Sequence, residues 1–78
     1  MTVQAYVLVQ TEVGKAAEVA RAIAAIDGVL QSEDVTGPYD VIVKAEGPSV
    51  DQLGALVVSS IQGVPGITRT LTCPIVSL

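Results

Sequence analysis

Histidine, tryptophan, phenylalanine and asparagine are absent from the chain, and cysteine occurs once. Without histidine, neither a Ser-His-Asp nor a Cys-His nucleophile can be assembled. A single cysteine excludes an internal disulfide framework and leaves no Cys/His set for zinc, so neither metal nor cofactor is expected. Positive charge is also scarce: four Lys and Arg stand against eight Asp and Glu, for a net charge of −4. Nucleic-acid binding needs a basic patch. Of the four, only Lys15 and Arg21 are near each other in the chain; Lys44 and Arg69 stand apart. No direct nucleic-acid partner is expected. No apolar run approaches the roughly 18 residues of a membrane span. The opening Met-Thr-Val-Gln-Ala-Tyr lacks the positive charge that begins a secretory signal. The expectation is a cytoplasmic protein with no membrane partner.

What is plentiful is apolar side chain. It makes up 50% of the 78 residues, with 15% charged. The length allows one domain, residues 1–78. A domain of this size buries only about 60% of the surface that its unfolded chain exposes. The apolar surplus points to a surface covered by another subunit.

Val3 to Gln10 is rich in β-branched residues, lacks Gly and Pro, and reads as a strand. One face carries Val3, Ala5, Val7 and Val9; the other carries Gln4, Tyr6, Leu8 and Gln10. A strand apolar on both faces belongs inside a sheet covered on both sides. From Lys15 to Ile26 the period changes: Ala16, Val19, Ala20, Ile23 and Ala24 form a helical stripe, and Asp27-Gly28 supplies a stop. Val29 to Thr36 reads as a second strand. Its polar middle, Gln31 to Asp34, marks a protected edge. Glu33 and Asp34 point to opposite faces and cannot act as an acid–base pair. Thr36-Gly37-Pro38-Tyr39-Asp40 is a turn, and Val41 to Ala45 a third strand, apolar on both faces like the first. Ser49, with Gln52 three residues on, starts a second helix with the stripe Val50, Leu53, Val57 and Ile61, widened by Leu56. Gly54 inside it implies close packing, since Gly there costs roughly 0.5–1 kcal/mol relative to Ala. Ile67 to Cys73 is the fourth strand, with Ile67, Leu71 and Cys73 on one face and Thr68, Thr70 and Thr72 on the other; Pro74 stops it. Cys73 is expected to be a small buried hydrophobe.

The order is βαββαβ. Sliding the chain along itself until Gly28-Val29 falls on Gly66-Ile67 also lays Val3–Val9 on Val41–Gly47. A duplicated βαβ predicts an α+β, ferredoxin-like sandwich with antiparallel sheet order 4-1-3-2. Two helices cover one face of such a sheet. The other, with Tyr6, Leu8 and Ile42 near its middle, is expected to meet a second subunit in a sheet-to-sheet dimer.

Val-Gln-Ala-Tyr-Val-Leu-Val at 3–9, the turn Thr36-Gly37-Pro38-Tyr39-Asp40-Val41 and the Thr68-Arg69-Thr70-Leu71-Thr72 strand together resemble the ligand-binding domain of the Lrp/AsnC family, also called the RAM domain. The resemblance covers nearly the whole chain and is to the stand-alone form, without a helix-turn-helix domain. It implies a small-molecule sensor; with no His, Trp, Asn or Phe to build a catalytic site, no enzyme is expected. It also implies dimers built sheet against sheet, octamers or similar rings of them, and an amino-acid effector in the cleft between dimers. The residues it points to are Thr36, Gly37, Tyr39 and Asp40 in the turn and Thr68 and Thr70 in the fourth strand. Asp40 has two readings: a turn residue capping local backbone groups, or the acceptor of the effector's ammonium while N–H groups near Gly37 meet its carboxylate. The threonines read either as β-formers in cross-strand pairs or as ligand-facing hydroxyls. Arg69 reads as a surface or interface charge. Two alternatives to a sensor stand: a ligand-free oligomerisation partner of full-length family regulators, and a small dimeric ferredoxin-like enzyme. The enzyme would have to work with Asp, Glu, Tyr and Lys alone.

Overall fold

A computed structural model of the chain describes residues 2–76. The elements run β1 (Val3–Thr11), α1 (Ala16–Ala24), β2 (Val29–Asp34), β3 (Val41–Gly47), α2 (Val50–Leu56), a π-helical turn (Val57–Ile61) and β4 (Ile67–Pro74). The four strands form one antiparallel sheet in the order β2-β3-β1-β4, the expected 4-1-3-2 read from its other edge. The fold is α+β and ferredoxin-like.

The alternation of β1 and β3 decides where the core sits. Val7 pairs with Val43, Val9 with Val41 and Ala5 with Ala45. All six are fully buried, packed beneath Val19, Ala20 and Ile23 of α1 and Leu53, Val57 and Ile61 of the second helical segment. Where two alanines face each other, Leu53 fills the space, with Val3 and Leu56 beside it. Ser49 begins α2 as expected, its hydroxyl accepting the Gln52 N–H at 3.1 Å. The edge strand β2 is tied to α1, where Ser32 Oγ donates to the Ala20 carbonyl at 2.8 Å.

Tyr6, Leu8 and Ile42 lie on the opposite, helix-free face. Leu8 stands in register between Ile42 and Leu71, and Tyr6 between Lys44 and Cys73. Tyr6, Ile42 and Leu71 remain 43%, 38% and 44% exposed. The Lys44 ammonium lies 5.9 Å from the centre of the Tyr6 ring.

Several sequence expectations are corrected. A bulge opens between Gln10 and Thr11 of β1: Gln10 pairs with Arg69 but Thr11 with Ile67, leaving Thr68 as the extra residue. One inserted residue reverses the alternation on the far side of it. Ile67 therefore packs against the core, while Leu71 and Cys73 fall on the helix-free face. Cys73 is exposed, not buried. Pro74 does not stop β4 before itself; it pairs with Ala5, as the outer position of an edge strand permits. Val50 leaves the buried stripe and is 57% exposed, because it sits at the first residue of α2. Ala24 is exposed at the end of α1. Gly54 packs against nothing: a Cβ built there would have open space.

Gly28 is the opposite case. Its φ of +95° is one that side chains avoid, and a Cβ would lie 2.9 Å from Leu56 Cδ2 and 3.2 Å from the Glu46 carbonyl oxygen. Gly28→Ala should therefore destabilise the fold by about 1–3 kcal/mol. Gly54→Ala should stabilise it by roughly 0.5–1 kcal/mol. Urea unfolding at one fixed protein concentration checks both signs.

Candidate functional site

The β2–β3 connection is held against the end of β1. The Val35 N–H donates to the Asp40 carbonyl at 2.9 Å and closes the hairpin. The Asp40 N–H donates to the Val9 carbonyl at 2.9 Å. Asp40 Oδ2 accepts the Thr11 N–H at 2.8 Å. From the same strand, Gln10 Nε2 donates to the Pro38 carbonyl at 3.1 Å. Gly37 carries a φ of +150°, which suits a residue without a Cβ. Tyr39 and Asp40 are half-buried; Thr36 and Gly37 are exposed.

Asp40 is thus more than a local cap. Its carboxylate reaches a backbone group of another strand, 29 positions away in the chain. The bulge that shifts β4 lies beside the same Thr11, so one carboxylate secures both the turn and the end of β1.

On the other side of β1, the start of β4 borders an open groove of about 290 Å³, lined by Gln62, Ile67, Thr68, Arg69 and Thr70. Gln62 Nε2 donates to Thr70 Oγ1 at 2.8 Å across it. Gln62 directly follows the π-helical turn, and its own N–H donates to the Val57 carbonyl at 2.9 Å. The turn residues and the groove share one end of the sheet, since Val9 pairs with Val41 on one side and Thr70 on the other. β3 and β4 are two strand spacings apart there, about 10 Å.

The sequence points to Thr36, Gly37, Tyr39 and Asp40 as one group and Thr68 and Thr70 as another, and the structure sets both at this end. Two further residues join them without a sequence signal. Gln62 carries no motif, and only the π-helical turn brings it to β4. Arg69, which reads as a surface charge, lines the groove. Among the described residues no group of three or more His, Cys, Asp or Glu could hold a metal ion, and no helix is long and apolar enough to cross a membrane.

The chain is thus a ferredoxin-like domain with both helices on one face and an open polar groove at one end of its sheet. The chain belongs to the Lrp/AsnC family: residues 4–77 match the Lrp/AsnC ligand binding domain. It is similar to the HTH-type transcriptional regulator FL11 of Pyrococcus abyssi, with 33% identity over 69 residues, which is 86% of this chain and 45% of FL11. The chain spans less than half the length of the curated relatives it matches. Among solved structures it resembles TTHA0845 of Thermus thermophilus, with a TM-score of 0.90 at 28% identity over 97% of this chain and 95% of that one. It also shares the fold of the transcriptional regulator NMB0573 of Neisseria meningitidis, solved as its L-Met complex, with a TM-score of 0.82 at 18% identity over 96% of this chain and 50% of that one.

The Asp40 tether yields a paired prediction. Asp40→Ala removes the acceptor of the Thr11 N–H and should cost about 1.5–3 kcal/mol of stability. Asp40→Asn keeps an acceptor oxygen and should cost less than half of that. Hydrogen exchange at the Thr11 amide is the direct check: protection should fall in the alanine variant and persist in the asparagine variant.

Proposed function

We propose that this domain is an effector-sensing regulatory module that binds an amino acid at the turn-and-β4 end of its sheet and works as a sheet-to-sheet dimer. The observation that carries the reading is the convergence of an anchored carboxylate, Asp40, and a polar groove at one end of a ligand-binding family's fold. A zwitterion needs a carboxylate for its ammonium and N–H donors for its own carboxylate. Asp40 Oδ2 is engaged by Thr11, and Oδ1 takes the ammonium. Backbone N–H groups near Gly37 meet the ligand's carboxylate, and Thr36, Tyr39, Thr68 and Thr70 complete the contacts. The L-Met complex of NMB0573 supports an amino acid as the ligand class.

The dimer rests on the helix-free face. Tyr6, Leu8, Ile42 and Leu71 form a contiguous apolar cluster in register across three strands, with Tyr6, Ile42 and Leu71 exposed and Leu8 half-buried in the single chain. Large apolar side chains are worth roughly 1.5–3 kcal/mol each when fully buried. A twofold axis would double the contribution. Further contacts between dimers build an octamer or similar ring, and full-length Lrp/AsnC regulators are the natural partners for co-assembly. The module itself makes no contact with DNA.

Calorimetry with the protein amino acids tests the effector. One or more should bind the wild type, and Asp40→Asn should weaken binding about 10- to 150-fold, the worth of a charge-assisted hydrogen bond of roughly 1.5–3 kcal/mol. Equal binding by the variant removes Asp40 from the site. If no amino acid binds, the module is a ligand-free oligomerisation partner.

Light scattering tests the assembly. The wild type should have the mass of a dimer or a multiple of one at low micromolar concentration, and Leu8→Glu should give monomer. A folded wild-type monomer under those conditions overturns the dimer.

A further inference from the structure

We propose that Arg69 of one copy of the chain meets Glu33 of a second copy, and that this pair fixes how the two sheets face each other and which chains can dimerise. This rests on the reading of the domain as a sheet-to-sheet dimer.

The strand register lays out the helix-free face. Glu33 pairs with Ile42, Ile42 with Leu8 and Leu8 with Leu71, so one row runs from the β2 edge to the β4 edge. In the next row Gln31 pairs with Lys44, Lys44 with Tyr6 and Tyr6 with Cys73. Arg69 pairs with Gln10, one pleat period beyond Leu71 on the same face. It borders the groove, but its place in the register is on the helix-free side. Ser32 bonds to the Ala20 carbonyl of α1, so its neighbour Glu33 points away from the helices. The two central strands therefore carry the apolar middle, and the edges carry opposite charges: an acid on β2 and an arginine on β4.

Charge suits this face to a second copy of the chain. Its charged strand residues are Glu33, Lys44, Glu46 and Arg69, two of each sign, in a chain of net charge −4. A face neutral in sum does not repel its own copy. Glu33 and Arg69 are both exposed. They stand on opposite edges, three strand spacings or about 14 Å apart, and do not meet within one chain. Among the described residues the one ion pair is Lys15 with Glu18, at 3.6 Å.

The twofold axis of such a dimer lies between the sheets. An axis along the strands, between β1 and β3, lays β2 of one copy over β4 of the other. Leu8 then faces the second copy's Ile42, and Tyr6 the second copy's Lys44, the cation that already stands 5.9 Å from a Tyr6 ring in its own chain. Glu33 lies opposite Leu71, with Arg69 about 7 Å further along the same strand. The pair occurs twice in the dimer. An axis across the strands instead lays β2 on β2 and β4 on β4, acid against acid and arginine against arginine. Like charges so placed oppose association, and the first arrangement is the one that the charges select.

The test reverses one charge at a time. Both positions are exposed, so neither change disturbs the core. Glu33→Arg and Arg69→Glu each set like charges together at two places in the dimer, and each should weaken association about 10-fold by sedimentation. The double variant Glu33→Arg/Arg69→Glu should dimerise as the wild type does. Mixing the two single variants is the decisive arm. A mixed dimer regains both opposite-charge pairs, so native mass spectrometry should find it well above the statistical half. If the single variants dimerise as tightly as the wild type, or mix statistically, the pair does not form and the proposal fails while the dimer survives. If the double variant stays as weak as the single ones, the two charges do not meet and the proposal fails. If the wild type is a folded monomer, the dimer reading falls and takes the proposal with it.

Discussion

The pairing of β1 with β3 is the constraint on which the rest of the molecule depends. Ala5, Val7 and Val9 opposite Ala45, Val43 and Val41 make a floor of small and β-branched side chains, and both helical segments settle on it. Because both return to the same side, the sheet has one sealed face and one open face. The open face inherits the other half of the same alternation: Tyr6 and Leu8 opposite Lys44 and Ile42. Core and prospective interface are thus two sides of one register. A slip by one residue would exchange them.

How much of this is legible in the sequence follows from which signals are periodic. The alternation of β1 and β3 and the Val19-Ala20-Ile23 stripe are regular, so their places in the core can be read directly. The polar β2 is legible as an edge for the same reason. The doubled βαβ order then leaves few topologies to choose from. What cannot be read is what breaks periodicity. A bulge needs no special residue, so Thr68 carries no mark, and Ile67, Leu71 and Cys73 read as one face although the bulge puts Ile67 on the other. The π-helical turn is equally silent: Val57, Val58, Ser59, Ser60 and Ile61 continue the helical pattern well enough. Spacing alone draws Val50 into the stripe, although a helix's first residue has no neighbouring turn to shelter it.

The candidate site is half legible for a related reason. The Gly37–Asp40 turn has turn chemistry at fixed offsets, so it stands out. That Asp40 reaches the Thr11 backbone is a tertiary fact with no local trace. Gln62 and Thr68 border the groove as they do because two regular elements each carry one residue too many. The repeated βαβ order of the fold shows elsewhere. Gly28 and Gly66 take nearly the same left-handed conformation, with φ of +95° and +97°, and each lies close to the other repeat's helix, at Leu56 and at Val19.

The position of β1 between β3 and β4 also shapes how the chain acquires its structure. Ala5 finds its second neighbour at Pro74, and Val7 at Thr72. During synthesis β1 emerges before either partner and stays half-paired until β4 is made. The α1 and β2–β3 segments can gather early through contacts near in sequence. The last strand must then close across nearly the length of the domain, the kind of distant pairing that slows folding. Until it does, one side of a central, apolar strand lies open, so the nascent domain is most prone to stray association just before its final strand arrives.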